Sequence, residues 1–303
     1  MRELRAASAA VAQRAQSVAI ERSRIAAYAA ELPLGAGAPA DPDAHLLTGS
    51  REALSAFWLT LDAINFGSGW FPTLVKRDGR SGYYTIATGL RERFAAHGPF
   101  NAAELSQIDA ASVAAITGQD PAHELMGLFA VSLRDLGRHV ALEHGGEYAA
   151  VVDSADGSAV ALALGLGGWA SYADSSRYEE LTVSFLKRAQ IAAADLARAG
   201  VAHFDDIPQL TLFADNLVPH VLRLDGILTF TPELVERIEA GELIDHGSPE
   251  EVEIRACALQ AVELIVAARA GTCAAEVDHL LWHRGQLRAY KTSPRHRSRS
   301  TAY

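Results

Sequence analysis

Charged side chains that stand inside apolar segments are the residues of this sequence best placed to do chemistry. Lys187 shares a predicted helix face with Val183 and Ile191, and Asp215 interrupts the apolar run 210–222 at a predicted turn into a helix. A buried charge costs several kcal/mol unless it is paired or used. Asp215 can therefore either cap the following helix or take part in a reaction, and its position alone favours the cap.

Two further groups of charged residues lie in apolar segments. Glu251 and Arg255 have an i,i+4 spacing that favours an ion pair, whereas Glu253 points roughly to the opposite helix face. We interpret that pair as structural. Asp278 lies close to the large aromatic Trp282. A carboxylate there can hydrogen-bond the edge of a guanine-like base, and a solvated helix residue is an equal alternative.

Other patterns known from enzymes are incomplete in this sequence. His279 and His283 have the i,i+4 spacing of a zinc protease helix, but Leu280 stands where that motif needs Glu, and no third ligand has a recognisable spacing. We therefore expect surface or pocket histidines and no metal site. The segment 165–170 matches the glycine pattern of dinucleotide-binding proteins, yet no series of βα units surrounds it.

The composition is that of an ordinary packed globular chain. Of the 303 residues, 49% are hydrophobic and 21% charged, which excludes a disordered or collagen-like chain. Lys and Arg total 27 against 37 Asp and Glu, and the net charge of −10 repels a phosphate backbone, so we expect no nucleic acid polymer as partner. The two cysteines, Cys257 and Cys273, cannot form a disulfide framework. A reducing cytoplasm fits, and no transmembrane segment is predicted.

Helical periodicity dominates and predicts a mainly α protein with a small β element. Helices are expected over residues 3–32, 51–64, 86–97, 101–107, 110–116, 121–144, 177–199, 216–224, 232–240, 249–270 and 274–290. The clearest β prediction is a hairpin over 71–85 that turns at Asp78-Gly79. The run 159–168 fits either a helix or a strand. The basic end 291–299 should fray unless the final residues dock.

Glycine and proline divide the chain. Gly145-Gly146 and Gly200 are predicted to end helices, and the Pro- and Gly-rich stretch 33–42 breaks the chain after the first helix. We expect residues 1–43 to form an N-terminal helix and linker that pack on a main body of residues 44–303.

Four sequence blocks carry a resemblance to a known family. They are residues 184–191 (SFLKRAQI), 213–222 (FADNLVPHVL), 251–257 (EVEIRAC) and 277–282 (VDHLLW), and they closely resemble the queuosine salvage family, the queuosine 5'-phosphate N-glycosylase/hydrolases. His45, Ile64-Asn65-Phe66 and Trp70 are similar to the N-terminal motif of that family, so the resemblance runs from about residue 44 to the end of the chain.

The sequence departs from the family at a few places. Animal members tend to have Tyr-Arg where this chain has Asn216-Leu217, Gln where it has His220, and an acid near His283. These differences concern contacts to the ribose and the side chain of the substrate, and the charged positions are retained.

The resemblance implies a fold and an activity. The fold is expected to be helical and similar to the helix-hairpin-helix DNA glycosylases. The activity is expected to be hydrolysis of the N-glycosyl bond of queuosine 5'-phosphate, which gives queuine for tRNA modification and ribose 5-phosphate. No metal or cofactor is implied. The expected partners are the nucleotide and queuine, with no membrane, and the sequence leaves the oligomeric state open, with a monomer expected.

Cleavage of a C1'–N bond passes through a state like an oxocarbenium ion, which a carboxylate near C1' stabilises. Asp215 is the first choice for this carboxylate. Lys187 would bind phosphate or lower the cost of charge on the leaving base, and Asp278 would bind the 2-amino and N1–H edge of the base. The two aspartates can exchange these roles.

A further set of residues is expected to bind the nucleotide. It consists of Phe66, Phe185 and Trp282 to stack on the base, His45 and Asn65 to hold the cyclopentenediol arm or the base carbonyl, Arg188 or another cation to meet the phosphate, and Asn216, His279 and His283. The secondary amine of the arm should be cationic at neutral pH, which an acidic pocket favours.

Two alternatives remain open at this point. One is a glycosylase for another modified nucleotide or for DNA, and the other is a helical module that binds nucleotides without cleaving them. A stacking pocket without a reactive carboxylate would favour the binding module.

Overall fold

A computed structural model of the chain describes residues 1–35 and 39–303, and this part is mainly helical. Its helices are α1 (Arg2–Arg14), α2 (Arg22–Glu31), α3 (Arg51–Ala63), α4 (Gly82–His97), α5 (Ala102–Leu105), α6 (Ala110–Thr117), α7 (Glu124–Glu143), α8 (Tyr148–Asp153), α9 (Ala159–Gly167), α10 (Lys187–Arg198), α11 (Val218–Leu224), α12 (Pro232–Glu239), α13 (Pro249–Ala268), α14 (Ala274–Arg284) and α15 (Arg288–Lys291). Its strands, β1 (Val18–Ile20), β2 (Ser175–Tyr178), β3 (Leu181–Ser184) and β4 (Leu228–Phe230), pair antiparallel as β1 with β4 and β2 with β3. The expectation of a mainly α protein with a small β element is confirmed.

Two apolar cores hold these elements together. The first is built mostly from α3 to α10, and the second from α1, α2 and α11 to α14. Helix α1 packs mainly against α13, which is buried along most of its length. Within the described residues, none of the helices combines the length and the apolar character that a bilayer crossing needs.

The prediction of one N-terminal helix over 3–32 is wrong. The segment forms two helices, α1 and α2, with β1 between them. The backbone N–H groups of Gln16 and Ser17 both donate to Glu253 Oε2, at 3.1 and 2.7 Å, and Val18 pairs with Phe230 of β4. The helix ends because its backbone finds partners more than 200 residues away, which local periodicity does not show.

The predicted hairpin over 71–85 is also wrong. Asp78 and Gly79 do form a turn, but a 3₁₀ helix at Phe71–Thr73 and the first turn of α4 occupy the places of the two strands. The Ser81 hydroxyl accepts from Tyr84 N–H at 3.3 Å and starts α4 earlier than expected. An N-terminal cap therefore outweighs the β propensity of the aromatic residues.

The real hairpin lies at the start of the predicted helix 177–199. There β2 and β3 pair with Ser175 opposite Ser184, and α10 begins only at Lys187. Asp174 Oδ2 accepts from Lys187 N–H at 2.9 Å and satisfies the first turn of α10 from outside the helix. The expected end at Gly200 is confirmed by its positive φ of 69°.

The C-terminal end differs from the expectation in two ways. Helix 274–290 is interrupted at Gly285, where a Cβ would lie 2.7 Å from the Leu217 side chain, so the backbone approaches closely and α15 follows as a separate turn. The basic segment does not fray. Ile244 N–H donates to Arg297 O at 2.9 Å, Tyr303 is buried, and the final residues dock on the body.

The remaining helices are confirmed to within a few residues, and the ambiguous run 159–168 is the helix α9. Gly145 and Gly146 end α7 with positive φ values. The stretch 33–42 contains no helix or strand in its described part, and residues 36–38 of it lie outside the described residues. The division into segments 1–43 and 44–303 stays a prediction.

A buried ion network lies at the centre of the second core. Arg255 is fully buried, donates to Asp174 Oδ2 at 2.7 Å and to Ala214 O at 2.9 Å, and lies 3.5 Å from Glu251. Burial alone would raise the pKa of Glu251, but a hydrogen bond from His246 and the charge of Arg255 outweigh it and lower the pKa to about 2.

Glu251→Gln should change how stability depends on pH. The ionised carboxylate stabilises the fold fully above its ordinary pKa of 4.5, and this stabilisation is lost as the pH falls towards 2. Over that window the free energy of unfolding of the wild type should fall by up to about 3 kcal/mol more than that of Glu251→Gln. Urea unfolding at a series of pH values measures both. Glu250→Gln, on the neighbouring and more exposed residue, should follow the wild type, and parallel curves for all three proteins would contradict the prediction.

Candidate active site

A deep cavity of about 1200 Å³ opens between the two apolar cores. Its walls come from the described part of loop 33–45, the end of α3, the start of α4, one face of α10, loop 213–217, helix α14 and the C-terminal segment. Most of the site residues expected from sequence line it, namely His45, Asn65, Phe66, Lys187, Asp215, Asn216, Asp278, His279, Trp282 and His283.

One face of α10 forms a wall of this cavity. Lys187, Ile191, Asp195 and Arg198 line it, and their spacing of three or four residues places them on successive helix turns. The cavity face therefore runs from an ammonium group at the helix start to a carboxylate and a guanidinium near its end.

Lys187 is held at the inner end of this face by the backbone. Its Nζ donates to Asn65 O at 2.8 Å and lies 3.4 Å from Asn65 Oδ1. Burial lowers the pKa of Lys187 to about 8, although the nearby charge of Asp215 acts in the opposite direction. The lysine is thus a cation at neutral pH that loses its proton under mildly alkaline conditions.

Asp215 both caps a helix and lines the cavity. Its Oδ1 accepts from Leu217 N–H at 2.8 Å and Val218 N–H at 2.9 Å, at the start of α11. Across the residues that the structure describes, no hydrogen bond reaches Oδ2. Asp215 can therefore cap α11 through Oδ1 and still present Oδ2 to a bound molecule, although the sequence suggested capping and reaction as alternatives.

Asp278 lies on α14 close to Asp215. Its Oδ1 accepts from Phe213 N–H at 3.2 Å. Burial raises the pKa of Asp278 well above its usual range, and the negative charge of Asp215 raises it further. The cavity thus combines a carboxyl group of raised pKa, the carboxyl group of Asp215 and an ammonium, and two acids in different environments can divide acid and base roles.

An aromatic wall stands beside these three groups. Trp282 lies edge-on to Tyr83 with ring centroids 5.7 Å apart, and the Tyr83 hydroxyl is 2.9 Å from His45 Nε2. Phe66 closes the inner side and is buried. The face of a single ring in this wall, such as that of Trp282, offers an apolar surface on which a heteroaromatic base can stack.

Two of the expected binding residues do not reach the cavity. Arg188 is buried behind Phe66, 5.0 Å from its ring, and its guanidinium donates to the carbonyl oxygens of Ala63, Ser171 and Ala302. Because these bonds occupy it, Arg188 does not fit the expected role of binding phosphate. Phe185 is fully buried in the second core, so it is not placed to stack on a base in the cavity.

The cavity also contains cations that the sequence reasoning missed. Arg295 and Arg297 of the docked C-terminal segment line it, together with Lys291. Within residues 1–35 and 39–303, neither arginine side chain takes part in a hydrogen bond or an ion pair. The basic run 291–299 contains both arginines, but we had expected this run to fray, so neither arginine was predicted to lie in the site. Asn216 supports this segment by donating to His296 O at 3.2 Å.

These features together define a mainly helical protein with an aromatic-lined cavity that contains both acidic and basic side chains. The queuosine salvage protein family model matches residues 45–303. The chain is 34% identical to the queuosine 5'-phosphate N-glycosylase/hydrolase of Sphaerobacter thermophilus, with 97% of this chain and 95% of that protein aligned. It is 32% identical to the protein of the same name from Dictyostelium discoideum, with 83% and 79% aligned. The chain belongs to the queuosine salvage protein family.

Arg295→Gln and Arg297→Gln should each weaken anion binding in the cavity. A guanidinium without a protein partner gains charge-assisted hydrogen bonds from a phosphate, so loss of either should raise the dissociation constant for inorganic phosphate by roughly tenfold. Calorimetric titration of the free protein measures this. Arg299→Gln is the matched control, because Arg299 belongs to the same segment but lies near Glu124 and Trp70 outside the cavity. Equal affinities for all four proteins would refute this assignment.

Proposed function

We propose that this protein is an N-glycosidase that hydrolyses queuosine 5'-phosphate to queuine and ribose 5-phosphate. The convergence of Lys187, Asp215 and Asp278 at one cavity carries the proposal, because three separate sequence blocks supply these residues. Family membership supports it, since relatives from bacteria and eukaryotes bear the name of this activity.

The reaction replaces the C1'–N bond by a bond from C1' to water. As the bond breaks, positive charge grows on the ribose, and the Asp215 carboxylate stabilises it and orients the water molecule. The leaving base gains negative charge, and Asp278, whose raised pKa favours its protonated form, gives it a proton. The attacking water loses one proton, and this proton returns the two aspartates to the protonation state that they had before the reaction. Lys187 lowers the cost of the negative charge on the base.

The raised pKa of Asp278 modifies the expectation drawn from sequence. A neutral acid donates one hydrogen bond and accepts others, so Asp278 is suited to protonate the base as well as to bind its polar edge. Asp215, which two backbone N–H groups fix at the loop before α11, takes the place beside C1'. The exchange of these two roles remains the alternative within the proposal.

The ends of the substrate follow from the charges of the cavity. The 5'-phosphate binds to Arg295 and Arg297 in place of Arg188. The base stacks on the aromatic wall with Trp282, and His279 and His283 of the same helix border it. A cavity of this size holds a nucleotide, and the net charge of −10 disfavours a nucleic acid duplex.

The proposal extends to fold kinship and cellular setting. The helical body is taken to be similar to the helix-hairpin-helix DNA glycosylases, with a nucleotide cavity in place of a duplex-binding surface. The protein is taken to act in the cytoplasm on a free nucleotide and to release queuine for tRNA modification. Both statements rest on the family resemblance.

Asp215→Asn should abolish cleavage without abolishing binding. Loss of the carboxylate that stabilises the developing cation should lower kcat for queuosine 5'-phosphate by about a hundredfold or more. Release of queuine and ribose 5-phosphate is followed by mass spectrometry, with Asp278→Asn in parallel and the exposed Asp156→Asn as control. If Asp278→Asn alone is inactive, the aspartates exchange roles. A wild type that binds the nucleotide and releases no queuine would overturn the proposed activity in favour of a binding module.

The alkaline side of the pH profile should report Lys187. Its ammonium is lost as the pH of the free protein rises through about 8, so kcat/KM should fall above that pH. In Lys187→Arg the charge persists to much higher pH, and the decline should move upward even if the overall rate is lower. Initial rates between pH 6 and 10 test this. An unchanged alkaline limb in Lys187→Arg would assign the decline to a different group.

A further inference from the structure

Asp195 lies on the cavity face of α10, two helix turns beyond Lys187. Eight residues of α-helix correspond to a rise of about 12 Å, so the backbone positions of Lys187 and Asp195 are about that far apart along the helix axis. The mechanism above gives this carboxylate no role.

Two acidic side chains border this part of the cavity, Asp195 and Asp41, and Asp41 forms an ion pair with Arg80. Arg198 lies 3.0 Å from Asp195 Oδ1 and pairs with it, but within the described residues no hydrogen bond reaches Oδ2. Asp62 lies behind it, fully buried, and burial followed by the charge of Asp195 raises the pKa of Asp62 well above its usual range. His45 is buried and Tyr83 is half-buried, and desolvation lowers the pKa of the imidazole and raises that of the phenol, which favours the neutral form of both.

Unpartnered polar atoms lie around the same carboxylate. Trp58 and His45 both line the cavity, are more than nine-tenths buried, and stack on each other with centroids 5.1 Å apart. Within the described chain, Trp58 Nε1 and His45 Nδ1 have no hydrogen-bond partner, and neither does Asp62 Oδ2. Buried polar groups in native proteins are nearly always satisfied, so Trp58 and His45, whose rings line the cavity, have unused hydrogen-bonding capacity beside Asp195.

We propose that Asp195 is a specificity residue that binds a positively charged substituent on the base of the nucleotide, with Trp58 and His45 as hydrogen-bonding neighbours for the hydroxyl groups of that substituent. This inference rests on the proposed function. In queuosine 5'-phosphate the substituent is the aminomethyl-linked cyclopentenediol, which combines a secondary ammonium with two hydroxyls.

The cavity is then bipolar in the same sense as the substrate. Arg295 and Arg297 stand at the end that receives the phosphate, and Asp195 stands at the end that receives the ammonium. A nucleotide with a neutral base offers no cation to Asp195 Oδ2 and leaves this partly desolvated oxygen without a partner, which weakens its binding.

Steady-state kinetics of Asp195→Asn on two substrates test the inference. The first is queuosine 5'-phosphate, and the second is 7-cyano-7-deazaguanosine 5'-phosphate, whose base substituent is neutral. For the first, KM should rise by about tenfold or more while kcat changes little. For the second, KM should stay the same or fall, so the preference between the substrates collapses.

Three further variants make the outcome unambiguous. Asp205→Asn removes a charge from the exposed loop after α10 and should leave the preference unchanged. Arg198→Met breaks the ion pair but keeps Asp195, so it should retain the preference. Asp195→Glu, which keeps the charge, should restore part of it if Asp195→Asn folds poorly. An equal change of KM for both substrates in Asp195→Asn would overturn the inference and leave a purely structural role for the ion pair.

Binding of the free bases separates this inference from the proposed function. The affinities of the wild type and Asp195→Asn for queuine and for 7-cyano-7-deazaguanine are measured by calorimetry, and no bond is cleaved. The inference is supported if the wild type prefers queuine and Asp195→Asn shows no preference, even if no nucleotide is hydrolysed. Equal preference in both proteins contradicts it even if hydrolysis is observed.

Discussion

The rest of the site depends on the hydrogen bonds and ion pairs that the buried guanidinium of Arg255 makes. Its Nη2 donates to Asp174 Oδ2, and the same oxygen accepts the backbone N–H of Lys187. Its Nε donates to the carbonyl of Ala214, the residue before Asp215. One cation therefore fixes both the start of α10 and the loop before α11. Removal of one partner of such a network leaves an unpaired buried charge, which costs far more than a surface ion pair.

The same guanidinium also joins the C-terminal segment to the core. Arg255 lies between the rings of Phe185 and Tyr303, at 3.9 and 4.3 Å from their centroids. The segment that ends at Tyr303 carries Arg295 and Arg297 into the cavity. Arg255 does not line the cavity, but it helps to position the cations at the proposed phosphate end. The ion pair of Glu251 and Arg255 is therefore structural, as the i,i+4 spacing of the two residues suggested.

The sequence predicted those parts of the structure that depend on local patterns. Most helices follow from three- and four-residue periodicity, and Lys187, Asp215 and Asp278 stand out because a charge in an apolar segment needs a reason. Local patterns could not predict the break between α1 and α2 or the docking of the C-terminal segment. β1 pairs with residues 228–230, and the backbone N–H of Ile244 donates to the carbonyl oxygen of Arg297. These contacts join segments that are distant in the chain.

Neighbouring positions of one motif illustrate a second limit. Lys187 and Arg188 are adjacent cations in the same block, and nothing in their types says which of them faces the cavity. On a helix, adjacent residues point about 100° apart, so the face that meets the cavity is decided by packing against α3 and α9. Asp195 was passed over for the same reason, because its importance appears only when its face of α10 is known.

The reactive groups owe their placement mainly to the backbone of neighbouring segments. Asn65 O holds the Lys187 ammonium, and the N–H of Phe213 holds Asp278. Two further N–H groups hold Asp215. Backbone dipoles are fixed when the fold forms, so they need no reorientation when charge develops on a bound ligand. The desolvation that raises the pKa of Asp278 and lowers that of Lys187 also strengthens each of these contacts. Burial of polar groups, which costs stability elsewhere, is therefore what prepares this cavity for charge separation.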